Sequence, residues 1–307
     1  MMTTTLELSG GRVLADRMDG TPTMASPSWW GADTVRLRGR LDDVAVHVRR
    51  YTAAARSYVN VSAAVAATEA AGAAGIGPAV VSWDVDAGEV VLADLTETHR
   101  TATLADGNSA DFVRRYFEIR SRVGELTPNE ARYATVFDDI RELSARLQDA
   151  GAAVPAELPF FLRVLDDAEK RIAAAGFDRE FRHGDGNLSN VMVARDDASL
   201  LLLDWDLAAV MDPFQDLGVA LVELAEDETH ARELFEIAHG SVDEALLARS
   251  LFYGYADHVR QGLLGILVDA LDPGSYEYSK FGDWQLLRAR LALSGTRSGE
   301  LLRRIDR

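Results

Sequence analysis

The chain has 307 residues, of which 48% are hydrophobic and 26% are charged, so it is a globular protein of one large or two smaller domains. Its formal net charge of −17, from 49 acidic against 32 basic residues, disfavours binding to nucleic acid or to an anionic membrane through bulk charge. The sequence contains no cysteine, which excludes disulfides, thiolate catalysis and cysteine-ligated zinc.

The N-terminal segment predicts neither export nor membrane insertion. It lacks the basic region and the apolar run of a secretory signal peptide. The longest apolar run, residues 262–271, is interrupted by Asp269 and is too short to span a bilayer. We therefore expect a cytoplasmic protein that has no membrane partner.

The first part of the chain predicts a small lobe of antiparallel strands with one helix. Residues 34–51 alternate between apolar and polar side chains on both sides of a turn, which is typical of a hairpin. The alanine-rich residues 53–74 predict a helix that ends at Gly75. Residues 79–85 and 89–95 predict two more strands around a short turn.

From Ser109 onward the apolar residues recur mainly at helical spacing. The predicted helices cover residues 112–126, 137–151, 159–176, 217–227, 233–240 and 251–271, with a last one that ends near Arg304. One interruption, residues 190–206, predicts a strand, a polar turn and a strongly apolar strand. The fold class is therefore α+β, with an N-terminal lobe of residues 1–95 and a larger helical lobe of residues 96–307.

The polar residues that can carry chemistry cluster around this embedded hairpin. Asp185 lies in the segment that precedes the hairpin, Asn190 opens it, and Asp204 ends its second strand. Strand pairing brings Asn190 and Asp204 to the same end of the hairpin. This spacing resembles the catalytic loop and metal-binding strand end of the protein-kinase-like phosphotransferases. The His-Gly-Asp and Asp-Trp-Asp forms, with residues 212–218, resemble the aminoglycoside phosphotransferase and choline kinase branch.

The resemblance implies a two-lobed protein-kinase-like fold that uses ATP and magnesium. Asp185 would orient and deprotonate the attacking hydroxyl group. Asn190 and Asp204 would bind Mg²⁺, because amide and carboxylate oxygens suit this cation. His183 is expected to brace the loop through hydrogen bonds, and Asp206 either binds a second metal ion or faces water.

Each of these residues, taken alone, is more often a turn or cap residue than a catalytic one. Asp212 and Asp216 in particular are expected to cap or hold the helix that follows. Four elements in the correct order are a more specific pattern than any single one of them.

The phosphate-binding residue of the small lobe is less clear from the sequence. The family carries a basic residue on its third strand, yet no lysine precedes Lys170. His47 stands at that place, and Arg49 lies two residues later on the same face of the strand. We favour Arg49, because arginine is always charged and can contact phosphate with two nitrogens. The alternative is that both residues face solvent on an edge strand.

Three other nucleotide-binding features of the family are matched weakly. The family has a glutamate on this helix that pairs with the basic strand residue, and its expected position falls near Ser62. Glu69 is the only acidic residue of the predicted helix, and it is either that partner or an ordinary exposed residue. The phosphate-covering loop would be residues 24–31, which are poor in glycine. Adenine is expected against the main chain of Asp94 and Leu95, in the connector between the lobes.

The last helices resemble those of choline and ethanolamine kinases, where two tryptophans and a later aromatic pair form a cage for quaternary ammonium. Gln261 and Leu264 stand at the tryptophan positions, whereas Tyr278 and Phe281 keep the aromatic pair. We expect Gln261, Tyr278 and Phe281 to contact the acceptor and choline itself to be a poor substrate. The alternative is that the two aromatic residues belong to the core.

The sequence therefore favours an ATP- and magnesium-dependent kinase that phosphorylates a hydroxyl group of a small molecule, such as an amino alcohol, a polyol, a sugar or an antibiotic. A nucleotide-binding pseudokinase with a regulatory or scaffolding role is the alternative, because the small lobe lacks a lysine and a clear helix glutamate. A two-lobed structural protein without a nucleotide ranks third.

Overall fold

Two lobes of different secondary structure make up the chain, as the sequence predicted. The structure is a computed structural model that describes residues 3–8, 11–16, 33–41, 44–273 and 278–305. The predicted boundary at residue 95 falls in the connector between the last strand of the small sheet and the first strand of the large lobe. Residues 24–31, predicted to cover the phosphates, lie outside the described residues.

The described part of the small lobe is built on an antiparallel sheet of six strands, in the order β1-β2-β3-β4-β6-β5. Its strands are β1 (Thr3–Leu8), β2 (Gly11–Asp16), β3 (Thr34–Leu41), β4 (Val44–Tyr51), β5 (Val80–Asp84) and β6 (Glu89–Ala93). The first two strands were not predicted, although a threonine-rich run before a glycine-rich turn was a signal for them.

Helix α1 (Val61–Ala73) packs against this sheet, where Val65 contacts Val90 and Leu92. The sequence analysis placed its start at residue 53, which is wrong by two turns. Asn60 is the N-cap, because its side chain accepts a hydrogen bond from the backbone N–H of Ala63. The cap satisfies an amide that has no partner within the helix and so sets the first residue.

The large lobe is mainly helical. Its helices are α2 (Ala110–Arg122), α3 (Val136–Asp149), α4 (Leu158–Ala175), α5 (Pro213–Leu224), α6 (Glu228–His239), α7 (Glu244–Leu271), α8 (Tyr278–Leu293) and α9 (Thr296–Ile305). Helix α7 runs through the centre and packs against α3, α5, α8 and α9. The sequence predicted one last helix, but the structure has two, α8 and α9. At the break between them, the Ser298 hydroxyl lies within hydrogen-bond distance of the carbonyl oxygens of Leu293 and Gly295 and can donate to either.

Two small sheets interrupt the helices. The predicted hairpin consists of β10 (Val191–Ala194) and β11 (Leu200–Leu202), and β7 (His99–Thr101) pairs with its free edge. The other sheet has the order β8-β12-β9, from Arg132–Tyr133, Ala209–Met211 and Glu180–Arg182. The catalytic-type loop predicted from the sequence runs from β9 to β10 and is held between these sheets. Among the residues that the structure describes, no helix is long and apolar enough to cross a bilayer.

Candidate active site

Asp185 lies partly buried in the loop between β9 and β10. Its Oδ1 accepts a hydrogen bond from the backbone N–H of Asn187 at 2.8 Å, and its Oδ2 accepts one from Asn190 Nδ2 at 2.7 Å. Burial raises the pKa of the Asp185 carboxyl group to about 7, and the nearby charges of Asp204 and Asp257 act in the same direction. A carboxylate with a pKa near neutrality is suited to accept a proton from a hydroxyl group.

His183 joins this loop to the segment between β11 and Asp204. Its Nε2 lies 2.9 Å from the carbonyl oxygen of Leu203, and its Nδ1 lies 3.1 Å from that of Asp185. The ring also packs edge-on against Trp205, with ring centroids 4.7 Å apart. Burial and the charge of Arg120 lower the pKa of His183, and a neutral ring donates to one of these two carbonyl oxygens. This is the bracing role that the sequence predicted.

Two glycines let the loop approach its neighbours closely. Gly184 has a φ of +78°, and a Cβ there would lie 2.6 Å from the carbonyl oxygen of Leu207. A Cβ on Gly186 would lie 2.2 Å from the carbonyl oxygen of Val219 in α5. A larger residue at either position would therefore require the loop or the facing backbone to shift.

A buried ion pair between Arg120 of α2 and Asp216 of α5 supports the loop. Arg120 Nη2 donates to Asp216 Oδ1 at 2.5 Å, and both side chains are only 5% exposed. Arg120 Nη1 also donates to the carbonyl oxygen of Asp185 at 2.7 Å, while Asp216 Oδ1 accepts the Gly184 N–H at 2.7 Å. Asp216 thus has the structural role predicted for it. The role of Arg120 was not predicted from the sequence. The one signal for it was that a charged residue lies on the apolar face of an amphipathic helix.

Arg260 of α7 holds the loop from another side and was also missed. Its Nη2 donates to the carbonyl oxygen of Gly184 at 3.1 Å. Its Nη1 donates to Asp139 at 3.0 Å and its Nε to Asp257 at 2.9 Å. The catalytic-type loop is therefore held by three helices that are far apart in the sequence.

Asp212 is the N-cap of α5, as predicted, because its Oδ1 accepts the backbone N–H of Phe214 at 3.0 Å. Its Oδ2 accepts hydrogen bonds from Arg249 Nε at 2.6 Å and from the Tyr253 hydroxyl at 2.8 Å. This pair fixes α5 against α7, and α5 in turn carries Asp216.

Asn190 and Asp204 lie at the same end of the hairpin, where the Leu203 N–H donates to the Asn190 carbonyl oxygen at 2.8 Å. Asp204 has a φ of +63°, which is strained for a residue other than glycine and is common at functional sites. Burial opposes ionisation of Asp204, but Arg49, whose Nη2 donates to Asp204 Oδ1 at 2.9 Å, holds its pKa below the ordinary value.

Asp206 is largely removed from bulk water. Its side chain is 12% exposed, its Oδ1 accepts the Tyr51 hydroxyl at 2.5 Å, and its Oδ2 lies 3.6 Å from Arg49 Nη2. Burial and the charge of Asp204 raise the pKa of Asp206. Two carboxylates thus share one guanidinium at this end of the hairpin.

The oxygen donors of Asn190, Asp204 and Asp206 suit Mg²⁺, and the crowded negative charge is what a divalent cation would neutralise. Among the described residues, no group of three or more histidine, aspartate or glutamate side chains could hold a metal ion by itself. Magnesium sites commonly use one or two carboxylates together with phosphate oxygens and water. The residues present therefore fit a metal ion that arrives with a phosphate-bearing ligand.

A cavity of about 500 Å³ lies between the small sheet and this end of the hairpin. His47, Arg49, Asp94, Leu95 and Met192 are among the residues that line it. The Asp94 side chain is held by Arg38 Nε at 2.6 Å and by the Thr96 N–H at 2.7 Å. The predicted nucleotide-facing residues thus lie together in one cleft.

His47 and Arg49 differ in charge. Burial and the charges of Arg49 and Arg36 lower the pKa of His47 to about 4, so this ring is neutral near pH 7. The Arg49 side chain is 15% exposed and lies in the cleft, so it does not face bulk solvent as the alternative supposed. Arg49 is the one of the two that brings a positive charge.

The depressed pKa of His47 predicts a pH dependence of stability. The unfolded chain binds a proton at this residue below about pH 6.5, whereas the folded chain does so only near pH 4. Stability is therefore fully present above pH 6.5 and is lost as the pH falls, by up to about 1.4 kcal/mol per pH unit.

We expect urea unfolding to show that the free energy of unfolding falls less steeply between pH 6.5 and 4.5 for His47→Gln than for the unmodified protein. His239→Gln, which removes an exposed histidine, is the matched control. Equal slopes for His47→Gln and the unmodified protein would show that His47 is not buried in its neutral form.

The predicted helix partner of the basic residue is absent at both candidate positions. The Ser62 hydroxyl donates to Glu130, and Glu69 accepts a hydrogen bond from Trp83 Nε1 on the outside of the lobe. Arg49 pairs directly with Asp204 instead. The interpretation of Glu69 as an ordinary surface residue is the one that the structure supports.

A second cavity, of about 390 Å³, opens on the other side of Asp185. The predicted acceptor residues Gln261 and Phe281 line it, as does Leu264, whereas the buried Tyr278 is not among the lining residues. Sequence analysis missed several polar lining residues on α5, α7 and α8, which are Glu223, His258 and Arg288. The two cavities share Asp33, Asn190 and Asp204, and so they meet at the end of the hairpin.

Several solved structures share the fold of this chain. A choline/ethanolamine kinase family protein from Mesorhizobium loti is 18% identical, with a TM-score of 0.74 over 91% of each chain. The choline kinase LicA from Streptococcus pneumoniae is 15% identical, with a TM-score of 0.69 over 87% of this chain and 89% of that one. A microcompartment-associated aminopropanol kinase is 15% identical, with a TM-score of 0.61 over 88% of this chain and 92% of that one.

These solved structures share the fold predicted from the resemblance, and that prediction is confirmed. No curated protein matches the chain by sequence. The sequence model of the phosphotransferase enzyme family, APH, matches residues 38–257, which is most of the chain and includes the hairpin, its loop and Arg49. The chain therefore belongs to the phosphotransferase enzyme family.

Proposed function

We propose that the protein transfers the γ-phosphoryl group of ATP to a hydroxyl group of a small molecule, with Mg²⁺ as cofactor. The observation that carries this proposal is the position of Asp185, which lines a cavity of small-molecule size and bonds to Asn190, where that cavity meets the one lined by Arg49. Its pKa of about 7 suits it to accept the proton of the acceptor hydroxyl.

Each residue has a distinct part in the proposed reaction. Asp185 accepts the hydroxyl proton as the acceptor oxygen forms its bond to the γ-phosphorus, and the bond from that phosphorus to the bridging oxygen of ATP breaks with its electron pair on ADP. Asn190 and Asp204 would hold Mg²⁺, which neutralises phosphate charge when bound. Arg49 would contact the phosphates, and the main chain of Asp94 and Leu95 would face adenine.

The acceptor classes left open by the sequence are amino alcohols, polyols, sugars and antibiotics. Choline is disfavoured, because the lining residues Gln261 and Leu264 offer no aromatic face to a quaternary ammonium. The test is release of ADP from Mg-ATP with a panel of these acceptors, together with hydroxy acids and hydroxy amino acids.

Release of ADP that depends on an acceptor is the expected result. Stabilisation by Mg-ATP without transfer to any acceptor would favour the pseudokinase instead. A melting temperature unchanged by Mg-ATP would contradict nucleotide binding altogether.

Arg49→Gln should raise the apparent KM for ATP by about tenfold or more, because a charged contact to phosphate is lost. His47→Gln should change it much less, since the ring carries no charge near pH 7. Steady-state kinetics with varied ATP separates the two variants. An equal or larger effect of His47→Gln would move the phosphate contact to His47.

A further inference from the structure

Two opposite charges face the acceptor cavity without bonding to each other. Glu223 on α5 and Arg288 on α8 both line this cavity. Arg288 Nη1 lies 3.9 Å from Glu223 Oε2, which is too far for a hydrogen bond. Their side chains are 23% exposed for Arg288 and 11% exposed for Glu223, so each charge is largely removed from bulk water.

Neither charge is well compensated within the described part of the chain. Arg288 Nη2 donates to the carbonyl oxygen of Val222 at 2.6 Å, and Glu223 is the nearest acidic side chain. Glu223 Oε1 accepts only a long hydrogen bond, at 3.4 Å, from the Leu188 N–H. Burial lowers the pKa of Arg288 and raises that of Glu223, so the attraction between the two charges does not offset their removal from water.

Several other charges of this cavity have closer partners. Arg146 Nη2 lies 2.6 Å from Glu142, and Asp139 and Asp257 both bind Arg260 within hydrogen-bond distance. His258 lies in the same wall, and burial holds its pKa well below the ordinary value, so it adds no charge. Away from Asp185, Asp204 and Asp206, the Glu223–Arg288 pair is therefore the ion pair of this cavity wall whose charges lie farthest apart. It is the pair that is most open to a charged ligand.

The pair discriminates between ligand charges. A purely cationic acceptor bound at Glu223 would be repelled by Arg288, and a purely anionic acceptor bound at Arg288 would be repelled by Glu223. A ligand that carries both charges satisfies both side chains. Glu223 and Asp185 line the same cavity, and Glu223 accepts a hydrogen bond from the N–H of Leu188 in the loop of Asp185.

From this arrangement we propose that the acceptor is a small zwitterion, a hydroxy amino acid whose carboxylate binds Arg288 and whose ammonium group binds Glu223. The inference rests on the proposed function and specifies its acceptor. It assigns Arg288 and Glu223 as specificity-determining residues of the acceptor site.

The experiment uses sets of acceptors that share one hydroxyl group and differ only in charge. L-Homoserine, 3-aminopropanol and 4-hydroxybutyrate form one set, and L-serine, ethanolamine and 3-hydroxypropanoate form a shorter one. Binding of each compound to the full chain with a non-hydrolysable ATP analogue and Mg²⁺ is measured by calorimetry, and phosphoryl transfer is measured separately with ATP.

In at least one set the zwitterion should bind about 10- to 100-fold more tightly than both singly charged analogues. Arg288→Gln should remove this advantage and leave the amino alcohol as the best ligand, whereas Glu223→Gln should favour the hydroxy acid. Arg290→Gln, an exposed arginine of the same helix, is the matched control and should change nothing. Melting temperatures check that each variant is folded.

Tighter binding of an amino alcohol or a hydroxy acid in both sets would overturn the inference, as would full retention of zwitterion affinity in folded Arg288→Gln. Weak binding of all six compounds would also overturn it. If binding follows the expected order but no phosphate is transferred, the proposed kinase activity fails while the charge recognition stands.

Discussion

Asp185→Asn should lower kcat for phosphoryl transfer by about 10²- to 10⁴-fold, the range over which a general base contributes. The amide keeps the size of the side chain but cannot take up the hydroxyl proton. The affinity for Mg-ATP should change little, because the Asp185 side chain bonds to neither Arg49 nor Asp204, which bond to each other.

The measurement is ADP release at saturating acceptor, with nucleotide binding followed by calorimetry. Asp197→Asn is the matched control, because this exposed carboxylate only accepts local hydrogen bonds such as that from Ser199 N–H at 2.9 Å. Turnover of Asp185→Asn close to that of the unmodified protein would exclude Asp185 as the base.

Arg120→Met should destabilise the fold by about 3–5 kcal/mol, the cost of leaving a buried charge without its partner. Asp216 would lose its buried guanidinium partner, and the carbonyl oxygen of Asp185 would lose a hydrogen bond. Catalysis should fall as well, since the loop would no longer be held in place.

Denaturant unfolding measures the loss of stability expected for Arg120→Met. Arg141→Met is the control, because this arginine also has two acidic partners, Asp138 and Glu169, but is 56% exposed. Its loss should cost less than about 1 kcal/mol. Removing both charges, with Arg120→Met and Asp216→Leu together, should cost less than the sum of the single variants. A cost below about 1 kcal/mol for Arg120→Met would show that the ion pair does not support the fold.

The sequence by itself determined the strand-rich first part, the mainly helical remainder and the proximity of Asn190 and Asp204. These follow from local rules, whereas the place of Asp185 beside them rested on the family resemblance. Helical spacing of apolar residues identifies helices one at a time, and a hairpin brings residues on either side of its turn to the same end. The prediction of the acceptor residues Gln261 and Phe281 depended instead on family resemblance, and both line the cavity.

Only the tertiary structure decided the contacts between residues that are far apart in the chain. Arg120 lies 96 residues from Asp216, and Arg260 lies 76 residues from Gly184, so no local pattern links them. The neutral state of His47 is likewise set by burial and by the neighbouring arginines, which a sequence does not show. Glu223 and Arg288 lie close together only because of the way α5 and α8 pack. That packing gives the acceptor cavity its charge pattern.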